Sequence, residues 1–299
     1  DNYYEFQTAH VNEQKRINNV IQEASKKLNE MYPVGAPKIK IIPNIVGLNM
    51  VKNSITDLSK VPLGINMETK EIQTYNFLGQ SIHTILSGEM STEMDFVYGF
   101  AREISMIPKA KVNVIDFVNA FEKQIPNVEV FNDNFDNTFI NISNSLRNDK
   151  NSPEKNVYIL IAPGAMKSRL SENGLAIVNN MFLNSSILEN NIFILIDDYD
   201  NIRNLRFEEW YQSQVSNSSG IWLGLGIDVQ MAINISNLTL DDRKLDFPYI
   251  TFSVVNGKRS IVKHIVDEEI IIDEQQEENS ESTDDSSEME ELMIWKTKY

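Results

Sequence analysis

Short, nearly unbroken apolar runs punctuate the middle of the chain and constrain its fold more than any other feature. SIHTILSG (81–88), KVNVIDF (111–117), NVYILIAPG (156–164) and NIFILIDDYD (191–200) are dominated by branched and aromatic residues. Strands that alternate apolar and polar residues bury one face, whereas runs like these bury both. Between them lie stretches with helical spacing: Thr92–Ile107, a segment around DFVNAFEKQI (116–125), an Asn/Asp-rich connection over Asn132–Asn151, and GLAIVNNMFLNSSI (174–187). Buried strands alternating with helices predict an α/β fold, a mostly parallel sheet flanked by helices. Upstream, VPLGINMETKEIQTYNF (61–77) reads as two strands around a polar turn. Val11–Met31 reads as a helix whose stripe is Val11, Ile17, Val20, Ile21, Ala24 and Leu28, ended by YPVGAPK. Downstream, GIWLGLG (220–226) and YITFSVVNGKRSIVKHIV (249–266) supply further strands, and no internal repeat is visible.

Charge sets the domain limits. The chain of 299 residues carries a formal net charge of −16. Asp267–Glu291 holds 13 acids and no Lys or Arg; with Lys296 and Lys298 the region 267–299 carries −11, which leaves −5 for residues 1–266. Residues 1–266 are therefore expected to form the folded domain and 267–299 an acidic, disordered tail. The other reading of that tail is an interaction arm ending in the apolar LMIW (292–295). A surface of this sign repels phosphate backbones, which argues against nucleic acid as a partner. Zero cysteines exclude disulfides, thiolate metal sites and a cysteine nucleophile. The first residues, DNYYEFQTAH, have neither the basic nor the apolar part of a signal peptide, and the missing initiator Met suggests a piece of a longer chain.

The first strand ends in a glycine and feeds a helix, the outline of a phosphate-binding loop. Laid on G-x-x-x-x-G-K-[ST], the segment Gly88, Glu89, Met90, Ser91, Thr92, Glu93, Met94, Asp95 keeps only its first glycine. Glu93 stands at the second glycine, Met94 at the lysine that reaches the phosphates, and Asp95 at the hydroxyl that ligates magnesium. Two carboxylates beside a polyphosphate oppose binding by on the order of 1–4 kcal/mol per close pair. The residues alone leave two readings open, a chance glycine or a degenerate loop, and neither supports ATP hydrolysis.

The acidic pair that manages magnesium and water should end a neighbouring strand. Asp197 and Asp198 have that look, against the plainer reading of a strand-end turn or helix N-cap. The earlier strand ends in Ala162 and Pro163 without an acid. His10, His83 and His264 lack metal spacing, no serine sits in a G-x-S-x-G elbow, and catalytic and metal residues are assigned to none. Trp210, Trp222 and Trp295 read as packing anchors, and RFEEWYQSQVSNSSGIWLGLGI (206–227) as helix, polar loop and core strand.

From Phe6 to Val266 the order of these elements resembles the FtsK/SpoIIIE-type ATPase modules of type VII secretion systems. The closer likeness is to the last cytosolic module of EssC-like coupling proteins. The hairpin with its Val-Pro-x-Gly start, the loop SGEMSTEMD (87–95) and FEEWY…SNSSGIWLGLGIDVQ (207–230) carry the resemblance. It implies a P-loop NTPase fold of the RecA-like, FtsK-like kind. It also implies that Ala162 and Pro163 occupy the Walker B position, with Asp197 and Asp198 on the sensor strand. The reverse register, with Asp197 and Asp198 as Walker B, stays open.

The resemblance further implies a cytosolic C-terminal module of a membrane-anchored secretion motor, at the cytoplasmic face of the cell membrane. Its expected partners are secreted substrates (WXG100-like helical hairpins and effectors), neighbouring ATPase modules of the same chain and other secretion components. No cofactor is expected in isolation. Met90, Met94 and Phe96 are candidate contacts for apolar or cationic peptide groups. The alternative is a translocase module that binds ATP and magnesium weakly, which needs a cation in place of Met94. The nearest in sequence is Arg102. A third class, a structural or regulatory module holding an oligomer together, also remains.

Overall fold

The structure, a computed structural model, describes residues 17–31, 41–148, 154–184, 188, 191–245 and 248–267. The expectations for Val11, His10, the YPVGAPK break, Trp295 and the acidic tail lie outside the described residues. The chain divides into two compact units, Asp1–Ile41 and Ile42–Tyr299. The first contains helix α1 (Ile17–Met31), on which Leu28 and Met31 are exposed.

In the second unit, β1 (Val46–Gly47) and the short α2 (Leu48–Val51) precede the hairpin β2 (Val61–Asn66) and β3 (Ile72–Tyr75). Then come β4 (Ile82–Ser87), α3 (Met94–Ser105), β5 (Ala110–Asp116), β6 (Val128–Phe131), α4 (Phe135–Asn148) and β7 (Lys155–Ile161). The short α5 (Met166–Arg169), α6 (Glu172–Leu183), β8 (Asn191–Asp198), α7 (Tyr199–Ile202) and α8 (Glu209–Gln214) follow. β9 (Gly220–Leu223), β10 (Ile250–Val255) and β11 (Lys258–Val266) end the fold.

One sheet holds eleven strands in the order β3-β2-β11-β10-β9-β4-β8-β7-β5-β6, with β1 added alongside β11. From β9 to β6 every pairing is parallel. From β9 outwards through β10, β11, β2 and β3 every pairing is antiparallel. The expected mostly parallel α/β sheet is present, with an antiparallel wing.

Side chains alternate across a strand, and the two apolar clusters follow that alternation. Phe193 and Leu195 of β8, Tyr158 and Leu160 of β7 and Ile82 and Leu86 of β4 face a layer built with α4, α6 and α8. Ile192, Ile194, Ile196, Val157, Ile159 and Ile85 face the opposite layer under α3. Each such side chain contributes about 1.5–3 kcal/mol by leaving water. That double burial is why these runs show no polar alternation. Among the described residues no helix is long and apolar enough to cross a membrane.

One expected helix is absent. The segment around DFVNAFEKQI forms a loop leading into β6. The Asp116 carboxylate accepts N–H groups of Val118 at 3.0 Å and Phe121 at 2.7 Å, which folds the chain back at the strand end. Tyr98 donates its hydroxyl to Ala120 O and accepts the Glu122 N–H, both at 3.0 Å. Phe117 and Phe121 have helical spacing but enter opposite layers: Phe117 packs on Phe135 and Phe139, Phe121 on Tyr98. A helix would put both on one face.

Candidate functional site

The carboxyl ends of the parallel strands form the edge where α/β sheets bind ligands. β4 delivers Ser87 and Gly88 there, and a 3-10 turn (Met90–Glu93) leads into α3. Facing it, β9 ends in Leu223 and runs into Gly224–Gly226, while Pro248–Ile250 enter β10. Between these walls lies a cleft of about 860 Å³.

Local chemistry shapes both walls. The indole N–H of Trp222 donates to Leu225 O at 2.9 Å and pins the far wall from the core. Gly224 sits at φ +67, and a Cβ there would lie 2.5 Å from the Glu93 carboxylate. Only glycine meets both demands at that point. Glu89, Glu93 and Asp95 contribute carboxylates, and no lysine or arginine is among the residues lining the cleft. Burial, and then the neighbouring Asp95, push Glu93 up to about 7.

A phosphate loop presents free backbone N–H groups to its ligand. Here the Met90 N–H donates to the Asp198 carboxylate, an anion supplied by the protein itself. The Thr92 N–H and hydroxyl both return to Glu89 O, at 3.3 and 2.8 Å. Met90 and Phe96 are buried in the α3 layer and Met94 packs partly against it, so Met90 and Phe96 are core residues rather than ligand contacts. Arg102, the nearest cation in sequence, is bonded to Asp267 at 2.6 Å.

β8 lies between β4 and β7, so the acids beside the loop come from β8, with Leu86 opposite Asp197 and Ser87 opposite Asp198. Alternation sends the two carboxylates to opposite faces. Asp198 faces the loop under α3. Asp197 is buried and accepts the Gly164 N–H at 2.6 Å, the Asp198 N–H at 2.8 Å and the Asn201 amide at 3.3 Å. Burial outweighs these bonds and lifts Asp197 to about 6. Asp197 thus ties down the turn after β7, where Ala162 adopts a left-handed φ of 53 and Pro163 is buried. Gly164 is needed there, because a Cβ would meet Asn201 O at 2.7 Å.

His83 and His264 stand elsewhere. His83 hydrogen-bonds Phe77 O and Gln80 O through Nε2 at 3.0 and 2.9 Å, and His264 pairs with the Thr251 hydroxyl at 2.9 Å. Among the described residues no cluster of His, Asp or Glu has the arrangement of a metal site.

Sequence reasoning located the near wall of the cleft but not the far one. The signal was present in Gly-x-Gly straight after the GIWL strand, a pattern that demands positive φ, as Gly224 and Gly226 show.

A parallel sheet of this order, with a strand–glycine–helix unit at its centre and a cleft at the carboxyl edge, has the fold of the P-loop ATPases. No protein-family model matches the chain, and no curated protein matches it in sequence. Among solved structures, EssC (ATPases 2 and 3) from Geobacillus thermodenitrificans is similar with a TM-score of 0.65 at 11% identity, covering 86% of this chain and 52% of that one. The cytoplasmic domain of EssC gives 0.59 at 11%, covering 87% and 55%. Thermomonospora curvata EccC (ATPases 2 and 3), in complex with a signal sequence peptide, gives 0.58 at 10%, covering 84% and 49%. The chain spans about half the length of these structures.

Proposed function

We propose that the chain is a degenerate ATPase module of a type VII secretion coupling protein, working at the cytoplasmic face of the membrane. In this reading it recognises secreted substrates and regulates neighbouring catalytic modules rather than turning over ATP. One observation carries the proposal: where a triphosphate would sit, the cleft presents Glu89, Glu93 and Asp95, and Asp198 already holds the Met90 N–H. An anionic cleft favours a cationic group of a polypeptide over a nucleotide. The position of β8 between β4 and β7 supports placing Ala162 and Pro163 at the Walker B position and Asp197 and Asp198 on the sensor strand. The similarity to an EccC structure complexed with a signal sequence peptide supports peptide recognition as the module's task.

Titration calorimetry of the native chain with ATP and with Mg-ATP tests this. No binding heat is expected, and the triple variant Glu93→Gly, Met94→Lys, Asp95→Thr is expected to gain binding. Micromolar binding by the native chain overturns the proposal whatever the variant does.

A further inference from the structure

A second concavity on the same sheet edge has the opposite chemistry. Arg203 follows α7, and Arg206 and Phe207 lie in the 3-10 turn (Leu205–Phe207) beyond it. Val229 and Met231, on the loop after β9, form the facing wall of a groove of about 530 Å³. Ligand sites typically measure ~300–1,000 Å³. Both walls are held in place. Leu205 is buried, the Gln212 amide donates to Arg206 O at 3.2 Å, and the Met231 N–H donates to the Tyr199 hydroxyl at 3.2 Å. On this fixed frame the apolar side chains face water: Phe207 is 82% exposed, Val229 70% and Met231 74%. Exposed apolar side chains that share one groove mark a binding surface.

The cations decide what binds there. Among the described residues Arg203 pairs only with the exposed Asp200, at 3.8 Å, an interaction of little worth, and Arg206 forms no ion pair. An arginine fork matches a carboxylate through two parallel N–H bonds. Phe207, Val229 and Met231 require apolar surface beside that carboxylate. Nucleic acid and free phosphate lack the apolar part, and a net charge of −16 repels a polyanion. An anionic lipid surface has both parts, but it would meet the whole sheet edge, where Glu89, Glu93 and Asp95 stand. A polypeptide segment escapes that repulsion, because it touches the groove alone. Arginine and aromatic residues are the usual anchors of such contacts, and Met231 adapts to differing apolar side chains.

We propose that the Arg203/Arg206/Phe207/Met231 groove docks a segment of another protein that carries a carboxylate next to large apolar side chains. The groove shares no lining residue with the Gly88 cleft, so the inference stands whether or not that cleft binds nucleotide.

Fluorescence anisotropy of short labelled peptides with the full chain tests this. One peptide has Glu and Leu at helical spacing; its twins carry Lys for Glu or Ser for Leu. Only the Glu/Leu peptide is expected to bind. Arg203→Glu/Arg206→Glu is expected to weaken it at least tenfold and to bind the Lys twin instead, which also shows that the variant folds. Met231→Asp, at an exposed site on the facing wall, is expected to weaken it by a similar factor and decides alone should the double reversal fail to fold. Glu93→Gln is expected to leave binding unchanged; a loss there places the peptide in the Gly88 cleft and overturns the proposal. So does no binding, a twin that binds as well as the Glu/Leu peptide, or affinity that a folded groove variant leaves intact. Capture by phosphatidylglycerol vesicles that Met231→Asp abolishes assigns the groove to a membrane instead. Self-association that Met231→Asp abolishes assigns it to a second copy, and either result overturns the proposal.

Discussion

The two ends of β4 carry opposite kinds of polar chemistry, although all six of its residues are buried. At the start, His83 is enclosed by Tyr75 and Phe77 at ring distances of 5.6 and 4.9 Å. Its Nδ1 faces the Gln80 amide at 3.2 Å while Nε2 bonds two carbonyls, so the ring is fully matched, and burial pushes it down to about 4. At the finish, carboxylates crowd a cleft with no cation in its lining, and burial pushes Glu93 up to about 7. One end has been closed with a matched partner for every polar atom. The other holds charge that folding tolerates rather than rewards, which is the signature of a ligand-facing edge.

The largest break in that contrast comes from His83→Ala. It removes a buried ring and leaves the Gln80 amide and the Phe77 carbonyl without their partner, for an expected loss of about 3 kcal/mol in urea unfolding. Asp197→Ala is expected to lose about 2 kcal/mol, since the half-buried Gly164 N–H loses its acceptor and the left-handed turn at Ala162 its anchor. A loss near zero would show that the turn after β7 holds itself.

Glu93→Gln sharpens the comparison with the opposite sign. The folded-state value of about 7 lies above the ordinary 4.5, so the folded protein favours the protonated acid. That contribution is complete below pH 4.5 and lost as pH rises through 7. The amide variant is expected to gain about 1 kcal/mol at pH 8, allowing for partial solvent screening, and nothing at pH 4.

His83 and His264 slope the other way. Their folded values of about 4 and 3 lie below 6.5, so their neutral rings contribute fully above pH 6.5 and lose stability as pH falls through the window beneath it. Melting temperatures of the Glu93→Gln variant from pH 4 to 8 should therefore rise more steeply with pH than those of the native chain.

The inner strands were legible in the sequence because burial on both faces strips polar residues from the whole run, as in Ile192–Ile196. β6 was not: VEVF is a half-exposed edge strand with no continuous apolar signal. The helix expected at DFVNAF failed because spacing reports only that Phe117 and Phe121 are four apart, not that a carboxylate at Asp116 turns the chain between them. The near wall of the site was readable as a strand–glycine–helix unit with the wrong side chains. The far wall, and the bond from the Met90 N–H to Asp198, join segments more than a hundred residues apart, and no local pattern encodes that.

The antiparallel wing has a consequence for how the chain is made. β2 emerges from the ribosome long before its inner neighbour β11, whose pairing runs through Val262–His264. Until that strand arrives, the almost wholly buried Val61–Asn66 presents an unpaired edge. Such long-range pairings form slowly and leave nascent chains open to aggregation. Completion of the sheet thus waits on β11, and a ribosome stalled before Lys258 would hold a hairpin whose inner edge is unpaired.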